Sequence, residues 1–134
     1  TPEQILKKFE EEYLHANSPF EFISCAVSDI NEEEDSHTHC VLKFKFNGEE
    51  MVQEADGNGP IDAATRAIYQ KTGYEVKVLD YSEHALSSGS HALAVAYINL
   101  LDVKSGKTIY GVGRSSNITK ASYRAIFSAM DKLF

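Results

Sequence analysis

Ala63-Ala64-Thr65-Arg66-Ala67-Ile68 and Ala121-Ser122-Tyr123-Arg124-Ala125-Ile126 are two forms of one segment, 58 residues apart and identical at four of six positions. Each follows a run of strand-like sequence, and each reads as the early turns of a helix. A duplicated unit explains this better than chance, and such a unit is expected to fold as a pair stacked on a shared core.

Working outward from the first copy, Pro60 is placed to open a helix that runs through Lys71, with Ile61, Ala64, Ala67 and Ile68 on its apolar side and Gly73 ending it. Upstream, Cys40, Leu42, Phe44 and Phe46 alternate with His39, Val41, Lys43 and Lys45, the period of a strand with one apolar face. Asn47-Gly48 is a strong hairpin signal, and Glu49–Ala55 is the return strand. Phe20–Ile30 supplies a third strand, and the acidic stretch Asn31–Ser36 between them is a solvated loop.

The second copy sits in the same setting. Tyr74–Ala85 reads as a strand, with Val76, Val78 and Asp80 alternating against Lys77, Leu79 and Tyr81. Leu86–His91 is a loop, Ala92–Val103 a strand, Ser105-Gly106-Lys107 a turn and Thr108–Gly113 the return strand. After the loop Arg114–Ser116, Asn117 is placed to cap a final helix reaching Leu133. A further helix is expected over Thr1–Ala16, where Ile5, Leu6, Phe9, Tyr13 and Leu14 share one stripe and Asn17-Ser18-Pro19 stops it. The expected fold class is therefore α+β: two βββα units, 18–73 and 74–134, related by a pseudo-two-fold duplication and preceded by one N-terminal linker helix within 1–17.

Bulk composition narrows the function. A chain of 134 residues with 43% hydrophobic and 25% charged residues fits one packed domain. The formal net charge of −7 and the lack of a Lys/Arg cluster argue against nucleic acid and against anionic membranes. No apolar run approaches the ~20 residues of a bilayer span, and Thr1–Lys8 does not read as a signal peptide. Cys25 and Cys40 are expected as reduced core residues.

Several short motifs fail their own requirements. Ser105-Gly106-Lys107-Thr108 resembles the end of a phosphate-binding loop, but Leu101 stands where the first glycine is needed, and strands flank it on both sides. Gly57-Asn58-Gly59 and Gly111-Val112-Gly113 begin like dinucleotide fingerprints, but Asp62 and Ser116 occupy the third glycine position. His37 and His39 share a strand face without the acidic or cysteine partners of a metal centre. Ser82, Glu83 and His84 lack a nucleophile elbow, and Asn117-Ile118-Thr119 is a glycosylation sequon in a chain with no sign of secretion. Gly57-Asn58-Gly59-Pro60 keeps two readings. It is either a tight strand–helix turn, or a place where backbone N–H groups at a helix start approach a carboxylate ligand.

Three segments together resemble the C-terminal allosteric domain of 2-isopropylmalate synthases: Asp56-Gly57-Asn58-Gly59-Pro60-Ile61-Asp62-Ala63, Leu79-Asp80-Tyr81-Ser82-Glu83-His84-Ala85, and Gly111-Val112-Gly113 with Asn117-Ile118-Thr119-Lys120-Ala121-Ser122. Ala94-Val95-Ala96-Tyr97-Ile98 between them is similar to that family as well. The resemblance implies a cytoplasmic regulatory module that pairs with a second copy of itself and binds free leucine as a feedback effector. It also implies an acyltransferase parent whose divalent-metal-dependent TIM barrel condenses acetyl-CoA with 3-methyl-2-oxobutanoate. That barrel lies outside these residues, so the chain alone is expected to be no enzyme and to hold no cofactor or metal. The effector pocket implied by the resemblance comprises Gly57, Asn58, Gly59, Pro60, Ile61, Val78, Tyr81, Ala85, Ala92 and Ile118. Small Ala85 and Ala92 would leave room for a γ-branched side chain. Arg114-Ser115-Ser116 departs from the Asp-containing loop of relatives, which bears on the pocket's polar end. The competing readings are an isoleucine-binding domain of a citramalate synthase and a dimerisation module with no ligand.

Overall fold

The computed structural model describes residues 20–31, 36–85 and 93–133. The expected N-terminal helix, the acidic loop at 32–35 and Ala92 lie outside the described residues. The elements run β1 (Phe20–Asn31), β2 (Ser36–Phe46), β3 (Glu49–Gly57), α1 (Pro60–Thr72), β4 (Val76–Ala85), β5 (Ala94–Asp102), β6 (Thr108–Ser115) and α2 (Ile118–Asp131). They form two antiparallel three-stranded sheets, β1-β2-β3 and β4-β5-β6, each followed by a helix. This is the doubled βββα, α+β arrangement read from the sequence.

Local chemistry accounts for most boundaries. Asn47 and Gly48 both take positive φ (52° and 81°), the pair of conformations that lets a two-residue turn match the twist of its strands. The Gly73 N–H closes α1 onto the Tyr69 carbonyl at 2.8 Å. The Asn117 side chain accepts the Lys120 N–H at 3.1 Å and so caps α2. β6 continues through Arg114 and Ser115, which the sequence had suggested as loop, because both keep ladder partners in β5, Val95 and Ala94.

One expectation is overturned. Strict alternation on β4 would put Val78 and Tyr81 on opposite faces. The register shifts between Val78 and Asp80, so Leu79 is an extra residue, and Val78 (opposite Leu100) and Tyr81 (opposite Ile98) face the same way. β1 carries the same shift at the matching place, between Phe22 and Ser24. The shared irregularity is further support for duplication.

The core lies between sheets and helices and centres on Leu42, Phe44, Ile68, Ile98, Leu100, Tyr123, Ile126 and Met130. α2 lies very close to β6. A Cβ on Gly111 would strike the Ala125 carbonyl and Ala129, and one on Gly113 would strike the Ala121 carbonyl. Gly-Val-Gly is thus a helix-packing device: the strand has no side chains where the helix has alanines. The thiols of Cys25 and Cys40 are free, and burial raises both above the ordinary thiol range.

Candidate functional site

The chain makes its turn from β3 into α1 with Gly57-Asn58-Gly59-Pro60. Gly59, at φ 156° and ψ 173°, occupies a region that residues with a Cβ avoid, so a side chain here would strain the turn. Pro60 follows as the first helical residue, where its missing N–H costs nothing. No flanking side chain caps this helix start. Instead Asp62, from inside the first turn, reaches back, and its Oδ2 accepts the Asn58 N–H at 2.9 Å. The same oxygen pairs with Arg66 Nε at 3.1 Å, one turn on.

The start of α1 faces the first residues of β4, and a cavity of about 500 Å³ lies between them. Its helix wall is Asn58, Gly59, Pro60, Ile61, Asp62 and Thr65, and its strand wall is Val76, Lys77 and Val78. The volume falls within the range of about 300–1,000 Å³ usual for small-molecule sites. Its lining joins a short apolar surface to backbone donors and two charged side chains. Thr65 Oγ1 donates to the Asp62 carbonyl at 3.0 Å.

The ten residues expected to line one pocket fall into separate places. Asn58, Gly59, Pro60, Ile61 and Val78 meet at the cavity. Gly57 lies behind it, where an added Cβ would collide with Asp62 and the Ala63 N–H. Tyr81 and Ile118 meet at the other helix start. The Tyr81 hydroxyl donates to Glu83 Oε2 at 2.7 Å and lies 2.6 Å from Ser122 Oγ, which in turn donates to the Ile118 carbonyl at 2.9 Å. Burial is the largest influence on the Tyr81 phenol and raises its pKa. Ala85 ends β4, exposed. Ala92 lies outside the described residues.

Tyr123 joins the two places. It is fully buried, and its hydroxyl donates to the Pro60 carbonyl at 2.7 Å and lies 3.4 Å from Cys40 Sγ. Burial pushes this phenol far above its usual range, so it remains a neutral donor. The second unit's helix thereby holds the first residue of the first unit's helix.

The sequence reading missed Asp62, Thr65, Val76 and Lys77. Thr65 had a usable signal, because it aligns with Tyr123 in the repeat and the exchange of a large ring for a small side chain marks a vacancy. His37 and His39 do share a face, as expected. Both approach Asp56, His39 Nδ1 at 2.8 Å and His37 Nε2 at 3.6 Å. Among the described residues no group of three or more His, Cys, Asp or Glu side chains is arranged to hold a metal.

A family model described as the LeuA allosteric (dimerisation) domain matches residues 1–134. The chain belongs to the LeuA allosteric (dimerisation) domain family. It is 40% identical over 134 residues to the 2-isopropylmalate synthase of Clostridium acetobutylicum, an alignment covering 98% of this chain and 24% of that enzyme. It is 41% identical over 133 residues to the synthase of Mycobacterium ulcerans (98% and 23%) and 36% identical over 133 residues to that of Pseudomonas entomophila (98% and 22%). The chain spans about a quarter of the length of these relatives. The LeuA domain's glycine-rich helix start, its Leu79–Ala85 strand and its Gly-Val-Gly strand with Asn117–Ser122 are the features by which the sequence resembles 2-isopropylmalate synthases.

Proposed function

We propose that this LeuA domain is the leucine-sensing, self-pairing regulatory module of a 2-isopropylmalate synthase, and that free leucine occupies the cavity between the start of α1 and the start of β4. The observation that carries the reading is the cavity itself: an uncapped helix start with a turn that only glycine adopts freely, facing Val76 and Val78 across about 500 Å³. An amino-acid effector needs donors for its carboxylate, acceptors for its ammonium and an apolar wall for its side chain. The first-turn N–H groups and Lys77 offer the donors, Asp62 and loop carbonyls the acceptors, and Ile61, Val76 and Val78 the wall.

In this reading the module sits in the cytoplasm with the enzyme it controls. The parent condenses acetyl-CoA with 3-methyl-2-oxobutanoate on a divalent-metal-dependent barrel, and the condensation is no property of these residues alone. The Arg114-Ser115-Ser116 segment lies at and just past the end of β6 and does not line the cavity, so in this reading its departure from relatives bears on other parts of the domain.

Calorimetric titration of the protein with leucine, isoleucine and valine tests the reading. Leucine is expected to bind tightest. At a hundred times Kd it stabilises the fold by about 2.7 kcal/mol, a rise of several degrees in Tm, roughly, for a domain of this size. A preference for isoleucine would reassign the parent to the citramalate synthases. No binding by any of the three would leave a dimerisation module alone.

A further inference from the structure

The cavity contains an ionisable group whose position is not explained by helix capping alone. Asp62 stands in the first turn of α1 and lines the space where the effector is placed. Its Oδ2 takes both internal bonds, from the Asn58 N–H at 2.9 Å and from Arg66 Nε at 3.1 Å. The carboxylate is therefore held in a fixed orientation by two donors on one oxygen, with the other oxygen still able to accept. The matching position of the second unit is Lys120, of opposite charge, and the cap there comes from Asn117. The acid thus belongs to the open helix start and to no general need of the repeat.

We propose that Asp62 is the specificity-determining residue that makes this cavity require a free α-ammonium group. The inference rests on the effector reading above and adds to it that Asp62, and not the loop carbonyls, makes the ammonium a requirement. A zwitterion presents its two charges side by side. With the carboxylate on the first-turn N–H groups, the ammonium comes beside Asp62 Oδ1, and a charge-assisted hydrogen bond forms there. A ligand of the same shape without the ammonium would leave Asp62 facing an apolar group and partly stripped of water, an arrangement that buried charges resist. A site built this way rejects the analogue lacking the bonded group far more strongly than it rejects one methylene more or less. The cavity thereby separates an amino acid from the oxo acid or fatty acid of the same skeleton, while its apolar wall sorts side chains.

The test is a cycle between one protein group and one ligand group. The full chain, as wild type and as Asp62→Asn, is titrated with leucine and with 4-methylpentanoate, which is leucine without its ammonium. Asparagine keeps an oxygen for the Asn58 N–H, so the unliganded variant should melt within a degree or two of the wild type. Asp62→Ala serves as a second variant if Asn proves unstable. Leucine affinity is expected to fall at least tenfold in the variant, and that for 4-methylpentanoate to hold or rise, because the variant no longer sets a charge against an apolar group. Leucine binding within twofold of wild type overturns the assignment of Asp62. So does an equal loss for both ligands. A wild type indifferent to leucine, isoleucine and valine overturns the effector reading itself, and this inference with it. A wild type that binds leucine beside an unaffected variant overturns Asp62 alone.

Discussion

The two places where a helix of one unit meets the first strand of the other are built from matching positions and end differently. At the junction of α2 with β1, Tyr123 and Phe127 pack on Phe20 and Phe22. Ring centroids are 6.1 Å apart for Phe22–Tyr123, 5.8 Å for Phe22–Phe127 and 6.1 Å for Phe20–Phe127. At the junction of α1 with β4, the positions matching Tyr123 and Phe127 are Thr65 and Tyr69, and those matching Phe20 and Phe22 are Val76 and Val78. Thr65 is too short to cross the gap, and Tyr69 is 50% exposed. At the first junction Tyr123 fills the space beside the helix start and leaves an outer groove of about 460 Å³ lined by Phe20, Phe22 and Phe127; at the second that space is the cavity. Duplication supplied two equivalent crevices. Tyr123 packs the helix start at one, and Thr65 leaves a cavity at the other.

The largest effect should come from opening the closed junction. Tyr123→Ala is expected to cost about 3–5 kcal/mol of stability, the usual range for deleting a buried aromatic ring. Thr65→Ala, at the matching position, should cost about 1 kcal/mol, mostly its hydrogen bond to the Asp62 carbonyl. Urea unfolding of both variants measures the pair, and equal losses would break the comparison.

Closing the open junction is the converse change. Thr65→Tyr places the ring that the second unit carries into the cavity. Leucine affinity should fall at least a hundredfold while thermal unfolding moves by only a few degrees. Calorimetry that finds leucine binding unchanged would mean that the cavity is not the effector site.

Tyr123→Phe keeps the ring and removes the hydroxyl that holds the Pro60 carbonyl. Stability should fall by about 1 kcal/mol. Leucine affinity should weaken several-fold, because the first residue of α1 loses its anchor. A loss of stability with affinity unchanged would confine Tyr123 to packing.

The smallest expected effect concerns the outer faces of the sheets. His39 hydrogen-bonds Asp56, whereas the matching residues of the second sheet are Val95 and Arg114. The Asp56 hydrogen bond, the largest influence on His39, raises its pKa above the ordinary 6.5. The stabilising contribution is therefore complete below about pH 6.5 and fades as pH rises through the folded-state value. Denaturation midpoints should drift slightly downward across that range, and His39→Gln should flatten the drift.

Much of the fold could be read from the chain because its signals are local. Asn47-Gly48 sets a hairpin, Gly73 and Asn117 set helix ends, and the paired Arg-Ala-Ile segments reveal the repeat. The bulge at Leu79 could not be read, since alternation does not say which residue is the extra one. That single slip turned Tyr81 onto the Val78 face. The cavity lining was legible where the backbone dictates it, at Asn58, Gly59, Pro60 and Ile61. Tyr81 and Ile118 were grouped with them by resemblance, and they lie together around Ser122 at the start of α2. Asp62 and Thr65 were missed because an acidic first-turn residue and a helical threonine are ordinary on their own. They gain meaning only when set against Lys120 and Tyr123.

The central claim is that the open junction, and not its closed counterpart, receives the effector. A crystal structure grown in excess leucine tests it most directly. The expected result is one leucine per chain seated between Asn58–Ile61 and Val76–Val78. A vacant crevice, with leucine bound at the start of α2 beside Ile118 or nowhere on the chain, would contradict it.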